Sequence, residues 1–227
     1  MSPLQRADFG LDADRASTPV APMTFVRRRL GGRYLIDPFG FDPQLADVSA
    51  SVLRPIVRIE LEGSEHLPVH GAATLVVNRG LGVVEPTAVA LAVRRAVGRR
   101  TRVVGLPGLP FAHGLSRRLG AIAASPEDVA GALRARHLVM VPLAPTWLRT
   151  DAGTAPLAIV QAMVAHPVIP VAVAPCGPLG TPTRWRVRFG VPIQSDPTYE
   201  SDDPLAAAEL GEQIRHAVGE LLGVSVA

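Results

Sequence analysis

Ala73-Thr74-Leu75-Val76-Val77 is a short apolar run that follows the turn-rich segment Pro68-Val69-His70-Gly71. A continuous apolar run of this length, rich in β-branched residues, is typical of a strand buried on both faces of a parallel sheet. Similar runs occur later, at residues 137–141 and 168–174. The stretches between them have helical spacing, so the chain alternates between buried strands and helices.

The remaining elements extend this alternation in both directions. Helices are predicted at residues 45–56, 86–97, 112–119, 125–135, 155–165 and 204–222. Further strands are predicted at residues 58–63, 102–105, 120–122 and 184–190. The last of these alternates strictly between Arg and apolar residues, which suits a late or edge strand. The pattern predicts an α/β fold with a mostly parallel or mixed central sheet flanked by helices.

The domain organisation follows from length and local composition. Residues 1–23 are polar, aperiodic and contain Pro, which predicts a disordered or loosely ordered tail. Residues 24–227 are predicted to form a single domain, large enough to bury a core without disulfides or metals. No apolar stretch reaches the ~18–20 residues of a membrane-spanning helix, and no secretory signal pattern is present at the N-terminus.

The composition narrows the class of partner. Hydrophobic residues make up 48% of the chain and charged residues 19%, which favours an exposed apolar face. The net charge is +3, and every one of the strongly basic residues is Arg. This balance is compatible with anionic lipid or phosphate, whereas the 4% aromatic content argues against nucleic acid. The single cysteine, Cys176, predicts that the protein is located in the reducing cytoplasm. The histidines are scattered without the spacing of metal ligands, so no metal site is predicted.

Catalytic or binding groups in such a sheet belong at the carboxyl ends of strands. The turns to consider therefore follow Val77, Ile122 and Val141. In chain order, the sequence there and nearby reads Val77-Asn78-Arg79 with Glu85-Pro86, Arg117-Arg118-Leu119-Gly120-Ala121-Ile122, Val141-Pro142-Leu143-Ala144, and Pro167-Val168-Ile169-Pro170-Val171-Ala172-Val173.

This ordered set resembles the glycerolipid, or lysophospholipid, acyltransferase family. The stretch from Arg186 to Ile193 is similar to the family's terminal strand, and the stretch from Tyr34 to Asp42 resembles a segment that precedes the domain in an actinobacterial branch. The resemblance spans Tyr34 to Ile193. It implies acyl-CoA or acyl carrier protein as the acyl donor, no further cofactor, a membrane lipid or acyl chain as partner, and a peripheral place on the cytoplasmic face of the membrane.

The position of the catalytic histidine differs from the family pattern. In the family, an Asn-His pair and a following Asp-Pro supply a general base and the acid that orients it. Here Arg79 occupies the histidine position, and a guanidinium stays protonated and can only donate hydrogen bonds. Glu85 replaces the acid and is displaced by one residue. We expect an Arg79–Glu85 ion pair that locks the turn and does not act as a base.

The second conserved turn has changed as well. The family's Phe-Pro-Glu-Gly corresponds to Val141-Pro142-Leu143-Ala144, which lacks the carboxylate and the Gly. The basic residue that many relatives carry after Gly-Ala-Ile is also absent. By position, the residues expected to contact substrate are Asn78, Arg117, Arg118, Pro142, Leu143 and Ala144. Arg117 and Arg118 could hold a lipid phosphate or simply form a solvated helix end.

Three hypotheses about function remain open. The first is a catalytically degenerate homologue that keeps a lipid or acyl-chain groove and acts as a binding or regulatory partner, for instance of an active acyltransferase. The second is an active acyltransferase that uses Glu85 or His113 as its base. The third is an unrelated hydrolase or small-molecule enzyme on a similar sheet, although the nucleophile elbow of hydrolases and the common nucleotide-binding loops are absent from the sequence.

Overall fold

The computed structural model of the protein describes residues 26–27, 30–32, 36–78, 84–105, 113–143, 159–161, 163, 165–176, 183–194 and 203–223. The predicted tail, residues 1–23, lies outside this part of the chain. The strands are β1 (Arg58–Glu62), β2 (Ala73–Asn78), β3 (Thr101–Val104), β4 (Ala121–Ile122), β5 (Leu138–Leu143), β6 (Val168–Pro175) and β7 (Arg184–Phe189). The helices are α1 (Pro43–Leu53), α2 (Val84–Val97), α3 (His113–Arg118), α4 (Pro126–Arg134) and α5 (Pro204–Leu222).

The strands form one mixed sheet in the order β1-β7-β6-β2-β5-β3-β4. All neighbouring pairs are parallel except β6 and β7, which are antiparallel. The apolar runs β2, β5 and β6 lie side by side in its centre, as expected for strands that are buried on both faces. The predicted α/β architecture is therefore confirmed.

Helices cover both faces of the sheet because successive strand residues point to opposite sides. Leu75 and Val77 of β2 face α2, whereas Val76 between them faces α4 and α5. Each face has its own buried apolar cluster, and the C-terminal half of the chain supplies much of the second one. The helical residues Ile159, Val160 and Met163 belong to this second cluster, which places part of the predicted helix 155–165 there.

Capping residues next to the helices explain where the helices begin and end. Ser125 caps α4 by accepting a hydrogen bond from the backbone N of Asp128 at 3.2 Å. Asp42 caps α1 in the same way through the backbone N of Leu45, so α1 begins at Pro43, earlier than its apolar spacing predicts. The predicted bounds of α5 are confirmed, with Asp203 as its N-cap and Gly223 in the left-handed conformation at its C-cap.

The alternating strand β7 is a late strand, one of the two positions that its pattern predicted, and it is not an edge strand. It lies between β6 and β1, and β1 forms the edge. Its arginines pair with acids on β1: Arg186 Nη2 lies 3.1 Å from Glu60, and Arg188 Nε lies 2.8 Å from Glu62. Alternation of polar and apolar residues indicates that one face of a strand is exposed to solvent. It does not show whether another strand pairs with it on its open side.

Candidate functional site

A cavity of about 340 Å³ lies on the α2 side of the sheet, between α1, α2, α3 and β3. Along α2 it extends from Pro86 in the first turn to Arg94 in the last, a distance of about 12 Å at the rise of an α-helix. It therefore connects the carboxyl edge of the sheet to its amino edge. The lining is mostly apolar and includes Phe41, Ala46, Ala50, Leu53, Pro86, Ala90, Leu91, Val103, Leu115 and Leu119.

At the carboxyl edge, Asn78 is committed to the backbone of the neighbouring strand. Its Nδ2 donates to the carbonyl O of Val173 at 2.9 Å, and its Oδ1 accepts from the backbone N of Val173 at 2.6 Å. These bonds continue the β2–β6 ladder past the last paired residues. The amide has capacity for one more donor and one more acceptor contact, so a role for Asn78 toward substrate stays a prediction.

The turn after β5 is adjacent to the end of β2. Pro142 is paired in register with Val77, and Leu143 is paired with Asn78. Pro142 is buried within the sheet, whereas nothing is described of the Leu143 side chain, and Ala144 lies outside the described residues. The sheet thus brings together the ends of the two strands that the sequence selected. The third turn, after β4, is separated from them by β3.

Glu85 stands at the start of α2, directly before the first cavity residue, Pro86. Its side chain is 8% exposed. The positive end of the helix dipole favours a carboxylate at this position. Arg79 lies outside the described residues, so the Arg79–Glu85 ion pair stays a prediction.

The α3 candidates separate into two groups. His113 is the first residue of α3, and Leu115 and Ser116 of the same helix line the cavity. The His113 side chain itself is not described. Arg117 and Arg118 are exposed and do not line the cavity, although the backbone O of Arg118 accepts from the N of Asp42 at 2.9 Å.

The segment before α1 forms one wall of the cavity through Phe41, which is 1% exposed. Asp37 shapes this segment: its Oδ1 accepts from the backbone N of Phe39 and of Phe41, each at 2.9 Å. Arg102 of β3 forms a buried ion pair with Asp37, and its guanidinium lies 3.9 Å from the centroid of the Phe41 ring. Residues 36–42, the described part of the stretch from Tyr34 to Asp42, are thus bound to the sheet and shape the cavity.

At the amino edge, the cavity is bounded by a buried charge cluster. Asp47 of α1 is 2% exposed and forms ion pairs with Arg94 and Arg100. Arg100 binds it in a bidentate manner, with Nε 3.0 Å from Oδ1 and Nη2 2.8 Å from Oδ2. Nearby, Arg99 donates to the carbonyl O of Pro68 at 3.1 Å and of Arg136 at 2.8 Å. We call Arg94, Arg99 and Arg100 the arginine corner.

The arginine corner was not predicted from the sequence. Arg94 and Arg95 are neighbours near the end of the predicted helix 86–97, but Arg94 lines the cavity while Arg95 is exposed. One available signal was Asp47, a carboxylate within a helix whose neighbouring positions are apolar. An acid at such a position needs a cationic partner if it is buried.

The histidines and the cysteine show no shared site. Among the described residues, no group of three or more His, Cys, Asp or Glu side chains is arranged to hold a metal ion. His137 is buried, with its Nε2 3.4 Å from Arg102 Nη2 and its ring edge-on to Phe39. Partial burial lowers the pKa of His166, just before β6, below its ordinary value of 6.5. Cys176 is partly exposed, and its thiol is free.

Curated relatives of the chain are uncharacterized mycobacterial proteins. No family model matches the sequence. An uncharacterized protein of Mycobacterium tuberculosis strain H37Rv is 25% identical over 271 aligned positions, covering 92% of this chain and 74% of the relative. An uncharacterized protein of Mycobacterium leprae is 26% identical over 259 positions, covering 87% and 70%. The names of these relatives give no activity.

Among solved structures, the 1-acyl-sn-glycerophosphate acyltransferase PlsC from Thermotoga maritima is similar to the protein, with a TM-score of 0.45 and 18% identity. The match covers 78% of this chain and 76% of that one. A likeness at this level identifies neither substrate nor activity. In the part of the chain that the structure describes, no helix combines the length and apolar composition needed to cross a bilayer.

Proposed function

We propose that this protein is a catalytically degenerate relative of the glycerolipid acyltransferases that keeps a groove for a lipid acyl chain. In this proposal it works at the inner face of the cell membrane as a lipid-binding or regulatory partner, for instance of an active acyltransferase. The observation that carries the proposal is the cavity along α2, which begins at Pro86, directly after the acid that resembles the family's catalytic acid.

The cavity suits an alkyl chain in size and chemistry. Its volume of about 340 Å³ is within the range of small-molecule sites. Most of its lining is aliphatic, including Ala90 and Leu91 of α2 and Val103 of β3. Burial of a chain there is favourable by about 0.8 kcal/mol per methylene group.

The loss of catalysis is inferred from the groups available for proton transfer. Arg79 stays protonated at any physiological pH and cannot accept a proton from an alcohol. The turn after β5 carries Leu143 where the family has a carboxylate. A site that lacks the general base and also lacks the carboxylate of this turn can bind an acyl chain without transferring it.

A membrane-facing position is supported by exposed apolar and basic side chains near the cavity. Leu115 and Leu119, which line it, are 53% and 38% exposed. Arg117 and Arg118 lie between them on the chain and are also exposed. Such a surface would bind an anionic bilayer, where each basic residue contributes about 1 kcal/mol.

The alternative, an active acyltransferase, is favoured by one specific observation. Glu85 is buried and directly precedes Pro86, which lines the cavity, and a carboxylate near the cavity could receive the proton of an acceptor hydroxyl. In this alternative an acyl group moves from acyl-CoA or acyl carrier protein to a lysophospholipid or similar acceptor, and His113 is a second candidate base.

A turnover assay separates the two. Purified protein is incubated with radiolabelled acyl-CoA and with lysophosphatidate or lysophospholipid acceptors, and the acylated product is measured. We expect no product above background, and little or no gain in Arg79→His because the later turn is also altered. Repeated turnover that disappears in Glu85→Gln or His113→Ala would establish the alternative.

The membrane part is tested by co-sedimentation with vesicles of anionic and of neutral lipid. We expect binding only to anionic vesicles, weakened by salt and by the double variant Arg117→Gln/Arg118→Gln. The matched control is Arg58→Gln/Arg134→Gln, which removes the same charge from two exposed arginines elsewhere. Equal binding by both double variants would contradict the assigned surface.

A further inference from the structure

The polar groups that line the described part of the cavity are distributed unevenly. The lining includes Ser49, Thr87, Thr101 and Ser116 as neutral polar residues and the three residues of the arginine corner as charged ones, and no Asp or Glu is among the described lining residues. All three arginines lie at the amino edge of the sheet, at the far end of the cavity from Pro86. An apolar cavity whose described charged lining residues are all arginines at one end is complementary to an amphiphile with one anionic end.

Asp47, behind the corner, holds two of its three arginines in place. Asp47 pairs with both Arg94 and Arg100, so two cations share this acid. Arg99 is held by the carbonyl oxygens of Pro68 and Arg136, which accept hydrogen bonds from its guanidinium. A second carboxylate at this corner would therefore meet guanidinium groups that are already fixed in position.

Of the three arginines, Arg94 is the one most open to a ligand. Its side chain is 20% exposed, against 6% for Arg100. A guanidinium presents five N–H donors, and the Arg94–Asp47 contact uses only Nη1. Arg94 can hold Asp47 and an incoming carboxylate together, on the side of its guanidinium that faces the cavity.

We infer that the cavity takes a free fatty acid, a single-chain carboxylate, with its carboxylate at Arg94 and its alkyl chain extending along α2 toward Pro86. This inference rests on the proposed function, because it assumes that the cavity holds an alkyl chain. It adds the class of ligand and its direction. The charged head lies at the amino edge, about 12 Å from the turn where an acyl group would have to lie for transfer.

The test compares dodecanoate with its methyl ester, which has the same chain and no charge. Affinities are measured by displacement of a fluorescent fatty-acid probe from the full-length protein. We expect the wild type to bind the acid at least about tenfold more tightly than the ester, as a charge-assisted hydrogen bond requires. In Arg94→Met, which keeps the aliphatic stem, the acid and the ester should bind equally.

The matched control is Arg95→Met, which removes the same charge from an exposed position one residue away on the same helix. It should keep the preference for the acid. Equal affinity for acid and ester in the wild type would overturn this inference and leave the acyl-chain groove standing. A preference that survives in Arg94→Met would place the carboxylate elsewhere and also overturn it. Failure of both ligands to bind would contradict the proposed function as well.

Discussion

The two ends of the cavity differ in what their polar groups do. At the carboxyl edge of the sheet, Asn78 is bound to the backbone of Val173, and the next strand end presents Pro142. At the amino edge, Asp47 and the arginine corner form a buried charge cluster against the same cavity. Under the proposed function, the chemistry of an active acyltransferase would be expected at the carboxyl edge. The difference between the two ends fits the proposal that the cavity binds a ligand at its amino edge without acyl transfer at its carboxyl edge.

The largest expected effect is at the buried cluster. Asp47→Ala should lower the free energy of unfolding by about 3–5 kcal/mol, because it leaves buried guanidinium charge without its carboxylate. Urea denaturation followed by circular dichroism measures this change. The control, Glu62→Gln, removes a carboxylate whose side chain is 52% exposed and which pairs with Arg186 and Arg188, and it should cost at most about 1 kcal/mol. Similar losses in both variants would remove the distinction between buried and exposed ion pairs.

A smaller effect is expected at the carboxyl edge. Asn78→Leu should destabilise the protein by about 1–3 kcal/mol, because the N–H and C=O of Val173 lose their partners. If Asn78 is mainly scaffold, the affinity for dodecanoate should change little at temperatures where the variant is folded. A variant with wild-type stability and a large loss of affinity would instead identify Asn78 as a ligand contact.

The smallest effect concerns pH and His166, which precedes the amino end of β6. Because its folded-state pKa is lowered from 6.5, the unfolded state binds more protons below that pH. The contribution of His166 to the free energy of unfolding is therefore fully present above pH 6.5 and declines as the pH falls below 6.5. Replacing His166 with Asn should flatten this decline in urea titrations between pH 7 and pH 5, on the order of one titrating group. Identical pH profiles for the variant and the wild type would contradict the assignment.

Much of the fold was predictable because its signals are local. The capping residues Ser125 and Asp203 mark the starts of α4 and α5, and the apolar runs of β2, β5 and β6 identify the central strands. The place of β7 in the sheet was not predictable from its sequence. Its alternating arginines indicate only that one face is exposed to solvent, and its pairing with β1 joins residues far apart in the chain.

The candidate site was predictable only at the end that the motifs mark. The resemblance led to Asn78, Glu85 and Pro142, and the structure brings the ends of β2 and β5 together. The arginine corner depends on which face of α2 is turned inward and on a contact between Asp47 and Arg100 across 53 positions of the chain. Neither can be read from local spacing, since Arg94 and Arg95 look alike in the sequence.

The central claim is that the cavity along α2 binds an alkyl chain, and filling the cavity tests it most directly. Titration of a fluorescent fatty acid into the wild type should give saturable binding with one site per chain. The variant Ala90→Trp, which places an indole in the cavity lining, should abolish this binding, whereas Ala123→Trp at an exposed position should leave it unchanged. Equal binding by the wild type and a folded Ala90→Trp variant would show that the cavity is not the site of the chain.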